Sequence, residues 1–143
     1  MEYKRDKRSP VPKNATVSKV MSANKGKNSK PELNLRKELC RLGLRGYRLH
    51  YKKIVGNPDI AWVNRRRAIF VHGCFWHRCP TCSYSIPKTN SEYWKLKFER
   101  NVGRDQRNLL LLRSLGWKVL VIWECDIKRN LPKVLQQVIK FLR

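Results

Sequence analysis

Acidic residues are scarce in this chain: 10 Asp and Glu stand against 33 Lys and Arg, leaving a formal net charge of +23 on 143 residues. Such an excess repels itself and calls for a polyanion. Nucleic acid is the first candidate, because phosphate neutralisation supplies most non-specific affinity, and an anionic membrane surface is the second. No run of about 18 apolar residues exists, so no membrane span is expected. Residues 1–8, MEYKRDKR, lack the apolar core of a signal peptide. The five cysteines, an odd number in CxxC-type spacing, fit metal binding in a reducing cytoplasm better than a disulfide framework. The length suits one domain with a core of its own, so a bound metal would staple the fold and not constitute it.

Residues 1–18 carry Lys, Arg, Pro, Ser and Asn with almost no large apolar groups, and read as a flexible basic arm. Its alternatives are DNA contact and plain solubilisation. Residues 19–143 form a single domain. Residues 19–30 are polar and basic, with Met21 the main apolar group. Ser29-Lys30-Pro31-Glu32 has the form of a helix start: Ser29 can cap, and Pro31 and Glu32 suit the first turn. Leu35, Leu39 and Leu42 follow at helical spacing, and Gly43 is the stop. Residues 47–51, 59–63 and 68–71 read as strands, the last two joined by a hairpin turn over 64–67. A helical pattern runs over 91–115 to Gly116, a short apolar strand over 119–123, and a closing amphipathic helix over 132–142. The expected order is αβββαβα, an α/β fold.

The densest chemistry lies in Val71-His72-Gly73-Cys74-Phe75-Trp76-His77-Arg78-Cys79-Pro80-Thr81-Cys82. Cys74, Cys79 and Cys82 sit in one loop after a strand, and Cys125 lies just beyond the later strand. Four thiolates suit tetrahedral structural Zn²⁺, which would tie the loop to the sheet. His77 is an alternative ligand; a four-cysteine site leaves it available for proton transfer. Cys40, on the apolar side of the first helix, is expected to be a buried thiol without a partner.

Asp59, at the start of a strand after Gly56-Asn57-Pro58, suits Mg²⁺, which takes carboxylate, carbonyl and water oxygens. A phosphodiester is cut by in-line attack of metal-activated water, and His72 and His77 could move protons at neutral pH. Alone, Asp59 would read as a turn residue; the two histidines on the next strand and loop favour catalysis. Glu32 is a further acidic candidate, although a first-turn Glu also serves the helix dipole. Phe75, Trp76 and Trp94 are candidate wedges between base pairs, whereas Trp62, Trp117 and Trp123 read as core. Phe75 and Trp76 are adjacent, so one strand face cannot bury both.

The chain resembles the very short patch repair endonucleases, the T:G mismatch DNA endonucleases of bacteria. The resemblance rests on VMSAN at 20–24, KPEL at 30–33, GNPD at 56–59, VHGCFWH at 71–77, EYW at 92–94, NVGRD at 101–105 and GWKVLVIWE at 116–124. It runs from about residue 17 to the C-terminus. It implies a restriction-endonuclease-like core related to the PD-(D/E)xK nucleases, with structural zinc. It also implies Mg²⁺ on Asp59 and the Val71 carbonyl, catalytic His72 and His77, and Glu32 as a supporting carboxylate. Phe75, Trp76 and Trp94 would be intercalating aromatics, with Met21 and Asn101 as further DNA contacts. The chain departs from the family in two places: Val71 stands where some members have Thr, and Cys79 and Cys82 replace histidine-containing versions of the zinc loop. The implied reaction is a nick 5′ of the mispaired T left when 5-methylcytosine deaminates. The implied setting is a monomer in the bacterial cytoplasm, at the nucleoid, with a cytosine-5 DNA methyltransferase as functional companion. Two other readings compete with it: a nuclease of the same fold with another target, such as a restriction-linked one, and a zinc-containing DNA-binding module without catalysis. Asp59, His72 and His77 together argue against the second of these.

Overall fold

The computed structural model describes residues 28–143. The basic arm expected over 1–18, and Met21, lie outside the described residues. Helix α1 (Lys30–Arg41) begins as its sequence requires: the Ser29 hydroxyl accepts from the Glu32 N–H at 3.4 Å, and Pro31 occupies the first turn. Gly43, at φ +75°, follows its end. Leu35 and Leu39 are fully buried, but Leu42 falls past the last turn and is 40% exposed.

The strands are β1 (Arg48–Leu49), β2 (Ile60–Trp62), β3 (Arg67–His72) and β4 (Lys118–Trp123), in sheet order β1-β2-β3-β4. The first three pair antiparallel and β4 joins β3 in parallel. A parallel pair needs a crossover, and helix α2 (Ser91–Ser114) lies within it. Strand β1 is shorter than the 47–51 segment anticipated from sequence, because His50 turns into the left-handed region at φ +47°. Between β2 and β3 the chain forms a 3-10 turn over Val63–Arg65, closed by Arg66 at φ +50°.

Two helices follow β4, not one: α3 (Glu124–Arg129) and α4 (Leu131–Leu142), so the order is αβββαβαα. The six residues of α3 are too few to display a helical period. Their charges do fit a helix, with Glu124 and Asp126 in its first turn and Lys128 and Arg129 in its last.

Strand alternation divides the molecule into three layers. Ile60, Trp62, Ile69 and Ile122 face α1, α3 and α4, where Leu35, Leu39, Ile127, Val134 and Val138 complete the main core. Ala68 and Phe70 face the other way, toward Leu109 and Leu112 of α2, with Val119 and Val121 beside them. Because His72 is two residues past Phe70 on β3, its ring also falls on the α2 face. Full burial of a Leu or Ile contributes about 1.5–3 kcal/mol, so the α1 face carries most of the stability and the α2 face is left open for chemistry.

Ile69 is fully buried on the face away from the histidines. Ile69→Ala is expected to lower unfolding free energy in urea by about 2–5 kcal/mol through loss of contacts and the cavity left behind. Metal content per folded chain should not change.

Candidate active site and cysteine cluster

A cleft of about 470 Å³ opens on the α2 face, lined by Gly56, Asn57, Asp59, Val71, His72, His77, Arg104 and Asp105 among others. Asp59 reaches it through a tight turn. Gly56 has φ +83°, and a Cβ there would lie 3.1 Å from the Phe70 ring, so only glycine fits. Asn57 follows at φ +48°, a conformation asparagine tolerates, and buried Pro58 sets the entry to the strand.

The Asp59 carboxylate accepts a hydrogen bond from the Val71 N–H at 2.7 Å through Oδ2. In a strand the N–H and C=O of one residue point to the same edge. The Val71 carbonyl therefore faces the gap beyond the end of β2 where Asp59 sits. Burial pushes the Asp59 carboxyl up to about 7, Glu32 adds to the rise, and the Val71 N–H opposes it. A buried carboxylate beside a carbonyl oxygen is a donor set that fits a hard divalent cation.

Glu32 joins this site from the first turn of α1. It is 2% exposed and ion-paired to Arg36 at 3.0 Å. His50 connects it to Asp59, with Nε2 at 3.3 Å from Glu32 and Nδ1 at 3.9 Å from Asp59. In the sequence His50 carries no signal beyond being one of three histidines.

His72 and His77 come together on the other side of the cleft, their rings stacked 4.0 Å apart at 8°. Burial, reinforced by the charge of His77, pulls His72 down to about 4, so it is neutral at pH 7. His77 Nδ1 lies 2.5 Å from Asp105 Oδ2. A carboxylate accepts, so Nδ1 bears the hydrogen and Nε2 is left to exchange a proton. Burial alone would raise the Asp105 carboxyl, but the His77 hydrogen bond and charge, with His72 and Arg104, outweigh it and hold it below its usual range. Asp105 was also missed from sequence, because an acid on a long helix ordinarily reads as a solvated surface group.

The four cysteines converge as expected. The sulfurs of Cys74, Cys79, Cys82 and Cys125 all lie within 4.8 Å of one another. Cys79 and Cys125 are 3.8 Å apart, far from disulfide length. Tetrahedral zinc with Zn–S of about 2.3 Å places its sulfurs about 3.8 Å from each other, so this donor set fits that ion. Burial pushes the Cys74 and Cys125 thiols up, a cost that a bound cation would offset by stabilising thiolate. The Cys125 N–H points to Cys74 Sγ at 3.4 Å. His77 belongs to the group with His72 and Asp105 and not to the cysteines. Cys40 overturns its expectation: it is exposed, not buried, and its sulfur lies 3.2 Å from the Tyr47 hydroxyl. It sits next to Leu39, one position off the buried stripe of α1.

The aromatic residues form one cluster beside the cleft. Phe75 packs edge-on against Trp76, Trp94 and Phe98 at 5.1, 5.9 and 5.2 Å between ring centres. Trp94 stacks on Phe98 and is 8% exposed, while Phe75 and Trp76 are half-buried. Asn101 donates to the Trp76 carbonyl at 3.1 Å, and Lys97 lies over the Trp76 ring at 5.5 Å. Trp62 is buried as expected, and Trp117 and Trp123 are half-buried.

An antiparallel hairpin extended by a parallel strand, with a carboxylate at the strand end, is the core of a restriction-endonuclease-like nuclease. A solved relative has this architecture: the catalytic domain of the homing endonuclease I-Bth0305I superposes with a TM-score of 0.55 at 26% identity, over 80% of this chain and 94% of that one. A sequence model of the family DNA mismatch endonuclease Vsr matches residues 9–82. The type II nicking enzyme V.XorIIP of Xanthomonas oryzae pv. oryzae is 42% identical over 108 residues, 76% of this chain and 79% of its own. The DNA mismatch endonuclease Vsr of Escherichia coli K12 is 38% identical over 114 residues, 80% and 72% of the two chains. The chain belongs to the DNA mismatch endonuclease Vsr family and is a DNA endonuclease.

The raised Asp59 carboxyl has a defined consequence for metal-free protein. Its folded value of about 7 exceeds the ordinary 3.8, so the stability it contributes is full below pH 3.8 and lost as pH rises through 7. His72 acts oppositely, its contribution lost as pH falls from 6.5 through about 4. A divalent cation that replaces the Asp59 proton should therefore raise Tm more at pH 8 than at pH 6. Thermal unfolding with and without the cation measures this. An equal increment at both pH values, or one retained in Asp59→Asn, would contradict cation binding at Asp59.

Proposed function

We propose that this protein is an Mg²⁺-dependent mismatch endonuclease that nicks 5′ of the mispaired T in a T:G pair, the lesion left by deamination of 5-methylcytosine. The observation that carries the reading is the Asp59 carboxylate, tied to the Val71 N–H at 2.7 Å, in the same cleft as the stacked His72 and His77. Asp59 and the Val71 carbonyl would hold Mg²⁺, with Glu32 in support. When bound, the ion supplies a Lewis acid that activates water and bears charge on the leaving oxygen.

The protein's own groups account for the remaining steps. His77, oriented by Asp105, presents Nε2 to take or return a proton. Neutral His72 stacks against it and adds no charge of its own to the cleft. Arg104 lines the cleft and offers charge to the scissile phosphate. Phe75, Trp76 and Trp94 would enter the duplex beside the mismatch, Asn101 and Met21 would add contacts, and the lysines and arginines would hold phosphates along both strands. A T:G pair is easier to unstack than a matched pair, which lowers the deformation cost where the wedge enters. Cys74, Cys79, Cys82 and Cys125 would hold structural Zn²⁺. The functional companion is a cytosine-5 DNA methyltransferase. The protein would act as a monomer at the bacterial nucleoid, residues 19–143 forming the endonuclease domain behind a basic arm. No helix among the described residues is long and apolar enough to cross a membrane. A restriction-linked role is a second reading, favoured by the name of the Xanthomonas relative, a type II nicking enzyme.

Nicking of matched and T:G duplexes tests the assignment. Asp59→Ala is expected to abolish nicking while leaving mismatch binding largely intact, and His72→Ala to slow nicking by roughly 10²–10⁴-fold. Full activity of Asp59→Ala would exclude the metal site. Trp76→Ala should bind T:G and T:A duplexes alike at a fixed salt concentration; an undiminished preference for T:G would make Trp76 a packing residue.

Zinc is tested by metal analysis. Purified protein should contain about one zinc per chain, and Cys79→Ala should lose zinc and stability together. Soluble, active protein without zinc would remove this assignment.

A further inference from the structure

We infer that a second pocket on the cleft side of the sheet, built from Arg48, Tyr51, Lys53 and Asn64, binds a backbone phosphate of the DNA duplex at a distance from the cut, an inference that rests on the proposed phosphate-holding role of the lysines and arginines and on neither the T:G target nor the metal. The pocket has a volume of about 490 Å³, and Gly46 and Val63 complete its lining.

Strand register places it. Arg48 lies opposite Ala61, and Ala61 opposite Ala68. Cross-strand partners share a face, and Ala68 packs on the α2 side. The Arg48 side chain therefore leaves the sheet on the side where the cleft opens. Tyr51 and Lys53 come from the connection between β1 and β2, whose later residues Gly56, Asn57 and Asp59 line the cleft. The Tyr51 N–H donates to the Pro58 carbonyl at 3.1 Å, which closes that connection on itself and fixes the two pockets relative to each other. Along β2, Asp59 borders the cleft and Val63 the second pocket. Four strand steps separate them, about 13 Å. That is close to the ~12 Å width of a major groove, so one duplex can reach both.

The lining has the composition of an anion site. It holds two full positive charges, a phenol and an amide that can donate, and no Asp or Glu. Elsewhere Arg36, Arg41 and Lys128 are ion-paired within the protein, and Arg67 donates to the Phe141 carbonyl. Among the described residues, none supplies a partner to the four polar side chains of this pocket. Their donors come from three segments: β1, the β1–β2 connection and the 3-10 turn. Such a convergence suits one phosphate, whose oxygens accept several charge-assisted hydrogen bonds at once. An anionic membrane would meet a broad surface, whereas these groups line a recess on the face of the cleft.

The test is anisotropy titration of full-length protein with a duplex oligonucleotide over about 50–200 mM salt, repeated with single methylphosphonate substitutions that each remove one phosphate charge. Arg48→Gln/Lys53→Gln should bind about tenfold more weakly, and its log–log salt slope should fall by about 2, roughly one per contact. Lys133→Gln/Lys140→Gln removes the same charge from exposed positions on α4, across the sheet, and should change the slope by less. Asn64→Ala removes no charge, so it should lose about 3–10-fold in affinity with the slope unchanged. Neutralising one phosphate outside the scissile position should weaken the parent and leave the Arg48/Lys53 variant unaffected, the non-additivity expected of groups in contact. An unaltered methylphosphonate map in that variant, or a loss no larger than in the α4 control, would overturn the inference. So would intact DNA binding with lost binding to phosphatidylglycerol vesicles, which would make the pocket a lipid site. A parent protein insensitive to every methylphosphonate would remove the wider reading that basic groups hold phosphates, and this pocket with it.

Discussion

The hydrogen bond from the Val71 N–H to the Asp59 carboxylate fixes the point on which the rest of the site depends. It forms where β2 has ended and β3 continues, so a backbone donor that would otherwise pair within the sheet is given to a side chain. The same geometry turns the Val71 carbonyl toward Asp59. An acid in that position is disfavoured as an anion by burial and by nearby Glu32. Ionising Asp59 is therefore costly in the free protein, and a cation bound at Asp59 would offset that cost.

Two further devices hold the surroundings in register. The four-cysteine cluster ties the loop after β3 to the first turn of α3. His77 and the aromatic pair Phe75 and Trp76 lie on that loop, between Cys74 and Cys79, the first two cysteines of the cluster. Clamping its ends fixes what lies between. Helix α2 supplies the opposite wall: Asp105 orients His77, Asn101 holds the Trp76 carbonyl, and Trp94 and Phe98 support Phe75. The cleft histidine and the aromatic groups thus share one frame, so an aromatic wedge and a cleaved phosphate would keep a fixed distance.

Long-range attraction to DNA and selectivity within it come from different parts of the chain. The net charge of +23 acts at a distance and does not discriminate sequence. Selectivity needs groups that discriminate pairing, and the aromatic cluster is the candidate. In the free protein those rings are packed on one another, so entering a duplex would exchange protein stacking for base stacking.

The sequence by itself determined the elements with long periodic patterns: α1, α2, β4 and α4 lie close to where Leu spacing, capping residues and apolar runs place them. It also marked Asp59, His72, His77 and the four clustered cysteines, because unusual residue types crowd into short segments. Only the tertiary structure decided what such spacing does not encode. No local spacing ties His50 or Asp105 to a partner, yet the fold sets them against Glu32, Asp59 and His77. The left-handed turn at His50 shortened β1, and the brief α3 had no period to reveal it. Cys40 went the other way: a residue type that is usually buried was left exposed by one step around a helix. The physical reason is common to all of these. Local sequence fixes backbone propensity over a few residues, whereas a side chain's partner is set by which surfaces the folded layers bring together.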